Sequence, residues 1–166
     1  MKKILFILLI SITVNAQPYV GVLGDVRNAT IGSEQTNNCG KLNYIIKAGV
    51  IGYDSIPFKA GVSYERFDAI AFEKWAVELG WSANMGRIFN KEIHFEPSLE
   101  LFKIDRKELH ISSVSLGVNL ETKYYLTKNI AIDILYQITD RKDIDKIVAS
   151  VFLGINWRFN KHTIKY

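Results

Sequence analysis

Two groups of residues in this chain have the types and spacing that acid–base chemistry requires. The first is His110-Ile111-Ser112. In an extended segment, residues two apart share a face, so the imidazole could take the hydroxyl proton and make the oxygen a nucleophile. The second is His94, Glu96, Ser98 and Glu100, polar residues at alternate positions that would line one face of a strand. They could serve an active site, a metal site or a hydrogen-bonded network. Such spacing is generic to any strand face and does not specify a metal. The simpler assignments are structural: interface residues for the first group, a buried polar network for the second. No Gly-rich phosphate loop is present, and no cofactor or metal is expected. Cys39 is the only cysteine. It can form no intrachain disulfide and reads as an ordinary loop residue.

Both groups depend on strands to position them. From Ile147 to Phe159 every odd position is apolar, while the even ones include Ser150, Gly154, Asn156 and Arg158. Strict period-two alternation describes a strand with one apolar and one polar face. Similar segments recur, and they place eight strands at residues 18–26, 42–53, 58–67, 74–89, 91–104, 109–126, 130–139 and 145–159. One face of each is apolar, as in Trp75, Val77, Leu79 and Trp81, or Ile130, Ile132, Ile134 and Tyr136. The other face holds Asp25, Lys47, Lys59, Glu65, Glu78, His94, Glu96, Glu100, Glu121, Lys123, Asp133 and Arg158. Gly49, Gly61, Gly80, Gly86, Gly117 and Gly154 sit among these charges. Small residues let a narrow barrel hold large neighbours.

The chain start has the three parts of a secretory signal. Lys2 and Lys3 form a basic region, residues 4–12 an apolar run broken only by Ser11, and Val14-Asn15-Ala16 a small-residue cleavage site. Cleavage is expected before Gln17. The apolar run is too short to serve comfortably as a membrane anchor. Without residues 1–16 the chain has 150 residues, one domain's worth, and a net charge of +2. That balance gives no reason to expect nucleic-acid binding. No later stretch is long and apolar enough for a membrane helix, so a membrane location would require a closed barrel, which satisfies the backbone internally. Two barrels fit the alternation. In a transmembrane barrel the apolar faces meet lipid and the charges pair inside. In a soluble lipocalin-like barrel the polarity is reversed around a ligand.

The links favour the membrane version. After strands two, four and six the chain turns quickly. After strands one, three, five and seven the links (27–41, 68–73, 105–108 and 140–144) are mostly longer and polar, as expected when short turns face the periplasm and loops face outward. Tyr44, Tyr64, Trp75 and Tyr136 near one set of strand ends, and Phe58, Phe89, Phe95, Tyr124, Trp157 and Phe159 near the other, suit interfacial aromatic girdles. The export signal, the eight strands and the closing strand 151–159 resemble the small outer-membrane barrels of the OmpA/OmpX type. In that pattern the chain ends on the terminal aromatic. Here Asn160–Tyr166 follow Phe159, so Phe159 is taken as the strand end and 160–166 as a periplasmic tail, with Tyr166, preceded by Ile164, the alternative.

The resemblance implies an all-β, eight-stranded antiparallel up-and-down transmembrane β-barrel over residues 17–159 in the bacterial outer membrane. Its expected partners are outer-membrane lipids, lipopolysaccharide and the barrel-assembly machinery, with any external partner unknown. Eight strands leave a lumen filled by side chains, so a non-enzymatic role in envelope integrity or surface interaction is expected. An enzymatic alternative comes from similarity to the lipid A deacylases, which use a His-x-Ser pair on a lipid-facing strand. It would make Ser112 the nucleophile and His110 its base. Ser113 stands where that family would place Asn, and Asp140, the nearest acid on strand seven, should lie opposite Leu116.

Overall fold

Period-two alternation becomes strand along the whole described chain. A computed structural model describes residues 16–26, 42–52, 57–106 and 110–159. The leader up to Asn15, the link 27–41 with Cys39, and the tail 160–166 lie outside the described residues. The elements are β1 (Ala16–Asp25), β2 (Asn43–Gly52), β3 (Phe58–Phe67), a 3-10 turn (Asp68–Ile70), β4 (Phe72–Trp81), β5 (Ala83–Ile88), β6 (Lys91–Arg106), β7 (Ile111–Tyr125), β8 (Ile130–Arg141) and β9 (Lys146–Arg158). Every pairing is antiparallel. Each strand follows its neighbour around the wall, β4 also pairs with β6, and β9 returns to β1, which closes the sheet.

Strands β4 and β5 are the two parts of the expected fourth strand, so the wall has eight strands. The break falls at Ser82, whose amide donates to the Pro57 carbonyl (2.7 Å). Beyond that point β3 has ended and β5 pairs only with β6. The β5–β6 hairpin therefore projects past the wall as a two-stranded tongue. Its tip is Phe89-Asn90, both with positive φ (50° and 61°), as a two-residue primed turn requires.

Register sets the barrel's dimensions. From Tyr19, successive partners are Gly49, Gly61, Glu78, Glu100, Gly117, Thr139 and Val148. Across the closing seam, however, Tyr19 faces Arg158, ten residues from Val148. A stagger of ten over eight strands corresponds to a strand tilt of about 40°. Gly49 and Gly61 face each other, with the Tyr19 ring beside them. A Cβ on Gly49 would lie 2.7 Å from Gly61 Cα and 2.9 Å from Tyr19 Cε1, and one on Gly61 would lie 2.6 Å from Tyr19 Oη. The two glycines make room for one large inward ring.

The two faces sort as a transmembrane barrel demands. Outward Leu79, Leu99 and Leu116 are 65, 66 and 65% exposed, whereas inward Lys47, Lys59 and Lys123 are at most 1% exposed. This polarity is opposite to that of the soluble lipocalin-like alternative. The aromatic ends also pair: Tyr64 and Trp75 lie 4.5 Å apart between centroids, and Trp157 stacks on Phe159 at 5.7 Å. Phe159, one residue past the end of β9, donates its amide to the Pro18 carbonyl (2.9 Å). Among the described residues no helix is long and apolar enough to cross a membrane.

Three expectations need correction. Gly86 does not face the lumen. A bulge between Asn84 and Gly86 shifts the register, so Gly86 pairs with outward Ile93 and takes φ 111°. The links after the third and seventh strands are not long: residues 68–71 and 142–145 each make a four-residue link, as do 126–129 at the other end. At this rim the end of β8 packs on the start of β4 over the lumen, with the Arg141 guanidinium 4.1 Å from the centre of the Phe72 ring. Finally, the lumen is not lined by charge and glycine alone. Leu23, Ile45, Leu135 and Phe152 form one buried apolar cluster, and Phe72, Ala76, Phe102 and Ile104 another.

Gly49→Ala is expected to lower unfolding stability in detergent micelles by about 1–3 kcal/mol, because the new methyl overpacks Tyr19. Urea titration followed by heat-modifiable gel migration measures it, and an unchanged midpoint would show that the ring moves aside freely.

Candidate functional site

The inward polar side chains assemble into a belt across the lumen. Lys47 of β2, Lys59 of β3 and Lys123 of β7 converge on Glu121 of β7. Lys47 pairs with it at close range, Lys59 at 2.5 Å and Lys123 at 3.2 Å. Glu78 of β4 reaches Lys47 (3.0 Å) and Lys59 (3.6 Å), and Glu96 of β6 reaches Lys123 (2.5 Å) and Lys59 (3.5 Å). All six are fully buried. The Tyr19 ring lies 4.8 Å from Lys123 Nζ, within cation–π range. Asp133 of β8 stands opposite Lys123, and Asn156 of β9 is fully buried. An ammonium group enclosed without a counter-charge would be strongly unfavourable, so these groups hold one another in place.

A second ion group lies further along the lumen. Lys74 bonds Glu65 and Glu100, each at 3.0 Å, and Asn119 donates to Glu100 (3.1 Å). Lys74 is absent from the sequence-based set of inward charges, although alternation with outward Trp75 places it there. At the rim beyond, Arg141 holds Asp143 through Nε (2.7 Å) and Nη2 (2.6 Å). Burial acts to raise the Asp143 carboxyl, but the Arg141 hydrogen bonds and charge outweigh it and hold the group below the usual carboxylate range.

The belt gathers part of the His94, Glu96, Ser98 and Glu100 run but splits it by height. Glu96 belongs to the belt and Glu100 to the Lys74 group. His94 lies at the lumen end where β1 begins, its Nδ1 3.2 Å from Ser82 Oγ, which in turn donates to Glu96 (3.0 Å). Ser98 Oγ is buried without a hydrogen-bond partner. Of the four, only His94 and Glu96 are linked, through Ser82, and among the described residues no group of three or more His, Cys, Asp or Glu side chains could hold a metal ion.

His110 immediately precedes β7 and Ser112 lies within it, both exposed. Ser112 is on β7 and exposed, paired in register with Asp105. His110 precedes the strand with φ 54°, so the alternation that would align the two side chains does not extend to it. Asp140 instead accepts from inward Ser115 (2.9 Å).

Sequence comparison gives no lead: no protein-family model and no curated protein matches the chain. Solved structures do match. A de novo designed transmembrane β-barrel superposes with a TM-score of 0.57 at 12% identity, covering 87% of this chain and 96% of the other. The Yersinia pestis outer membrane protein Ail, in a phospholipid bilayer nanodisc, gives 0.54 at 16% identity, covering 87% and 99%. The N-terminal β-barrel domain of Pseudomonas aeruginosa OprF gives 0.55 at 11% identity, covering 86% and 97%. Identity at this level speaks for the fold and nothing finer. With its closed antiparallel wall, outward apolar face and enclosed charges, this chain has the fold of the small eight-stranded outer-membrane β-barrels.

Proposed function

We propose that the chain is exported behind a cleaved leader, residues 1–16, and inserted into the bacterial outer membrane as a non-enzymatic barrel. There it contributes to envelope integrity or presents its rim and the 27–41 link to external partners. The observation that carries this reading is the Lys47/Lys59/Lys123–Glu78/Glu96/Glu121 belt, whose buried side chains occupy the lumen cross-section. A solute pathway would have to pass through these ion pairs. Lipids and lipopolysaccharide are the proposed neighbours of the apolar wall, and the barrel-assembly machinery its route into the membrane.

In planar bilayers the purified protein is expected to give no large, stable conductance, and such channels would overturn the closed-lumen reading. Glu121→Gln is expected to destabilise the fold by about 3–5 kcal/mol, because three buried ammonium groups would lose the one carboxylate they all share. The double change Lys59→Met, Glu121→Met should cost less than the single one. Urea unfolding in micelles, followed by tryptophan fluorescence, makes the comparison. Equal, small effects would mean that water rather than Glu121 solvates the lysines.

A further inference from the structure

The two ends of the lumen differ. Where β1 begins, the interior opens into a cavity of about 820 Å³, within the size range of small-molecule sites. The projecting β5–β6 tongue forms one wall with Asn84, Arg87 and Lys91, and the 126–129 turn adds Lys128. Lys91 donates to the Leu126 carbonyl (2.7 Å) and ties the tongue to that turn. Arg158, Tyr125 and His94 line its inner part. Four cations (Arg87, Lys91, Lys128 and Arg158) line the cavity against one carboxylate, Glu92, which Arg87 already engages at 3.2 Å.

The inner part of this cavity holds polar atoms without a hydrogen-bond partner. Arg158 Nε and Nη2 and Tyr125 Oη are buried and unpaired, Tyr125 as a whole is 5% exposed, and His94 Nε2 has only Glu92, at 3.6 Å. The reason is local. Glu96, the nearest carboxylate, gives one oxygen to Lys123 (2.5 Å) and the other to Ser82 (3.0 Å), which leaves Arg158 Nη2 3.8 Å away. The guanidinium lies 4.5 Å from the centre of the Tyr125 ring, within cation–π range, and its side chain keeps 12% exposure. Buried donors left unpaired are costly, and a guanidinium suits oxyanions through its fork of donors. The small cavity at the opposite end, about 130 Å³, is lined by Lys74 and Arg141, and both already hold carboxylates.

We propose that the cavity at the β1 end binds a small molecule through an oxyanion, a carboxylate or a phosphate group, seated on Arg158 and Tyr125. The tongue and Lys128 enclose the rest of the ligand. Binding asks only that Arg158 turn from its long approach to Glu96 toward the cavity. The cationic wall attracts the ligand from solution, and the orphaned donors at the inner end supply the fixed contacts.

The test uses the full chain folded in micelles, titrated with inorganic phosphate or with acetate while chloride is exchanged to hold ionic strength constant. NMR follows the Arg158 side-chain Nε–H and the backbone amides of residues 126–129. Saturable shifts confined to these groups are expected with at least one probe, and the probe that saturates identifies the group the cavity prefers. Arg158→Gln should weaken binding at least about tenfold, the loss expected for a charge-assisted contact. Lys128→Gln, an exposed turn substitution that leaves the fold intact, should weaken it several-fold, and Lys146→Gln at the opposite rim should change nothing. Shifts that fail to saturate with both probes, or that survive Arg158→Gln and Lys128→Gln unchanged, would overturn the proposal.

Discussion

Glu121 is the carboxylate on which the interior depends. Three lysines from three strands reach it, and two further carboxylates, Glu78 and Glu96, complete the exchange of charge. In a barrel whose outer wall is apolar, this arrangement is a requirement more than a source of stability. Buried ion pairs often do no more than recover the cost of their own dehydration. What they do provide is order. Each lysine can be neutralised only if β2, β3, β4, β6 and β7 stand in this register, because a slip of one residue would turn a charge outward into the apolar face.

Much of the architecture is legible in the sequence because two faces with opposite requirements write themselves in period two. The eight strands and their inward and outward sides follow from alternation alone, as with Leu79 against Glu78 or Ile132 against Asp133. What alternation cannot express is any event that breaks it or reaches across it. The bulge that turns Gly86 outward leaves no mark on the pattern. The division at Ser82 arises because β3 ends, a fact about a neighbouring strand. Ion-pair partners depend on the stagger of ten, which no local segment contains. Inward Leu23, Phe102 and Phe152 look like errors in the pattern until their mutual packing is seen. The cavity at the β1 end was least legible of all. Arg87, Lys91, Lys128 and Arg158 are scattered over 72 positions and meet only through the tongue and the closing seam.

The tongue gives the two ends of the molecule different characters. At the far rim, Arg141 over Phe72 and Arg141 with Asp143 cover the lumen with paired groups. At the near rim, β5 keeps one edge without a strand partner among the described residues. An open edge invites pairing with other chains, and bulges and charged side chains are common protections against it. The Gly86 bulge and Arg87 lie on that edge. The features that keep the tongue apart also hold it beside the cavity.

The β1–β9 seam has a kinetic consequence. All other junctions join strands adjacent in the chain or, for β4 and β6, separated only by β5, whereas Tyr19 must find Arg158 across nearly the whole polypeptide. Contacts so distant in sequence carry the greatest loss of chain freedom and form slowly. Until the seam meets, the lysines and glutamates stay in contact with water, since an open sheet has no inside. Zipping the last edge and drying the charges are then a single event. An assembling molecule has little reason to pause half-closed, with its ions stripped of solvent but not yet partnered.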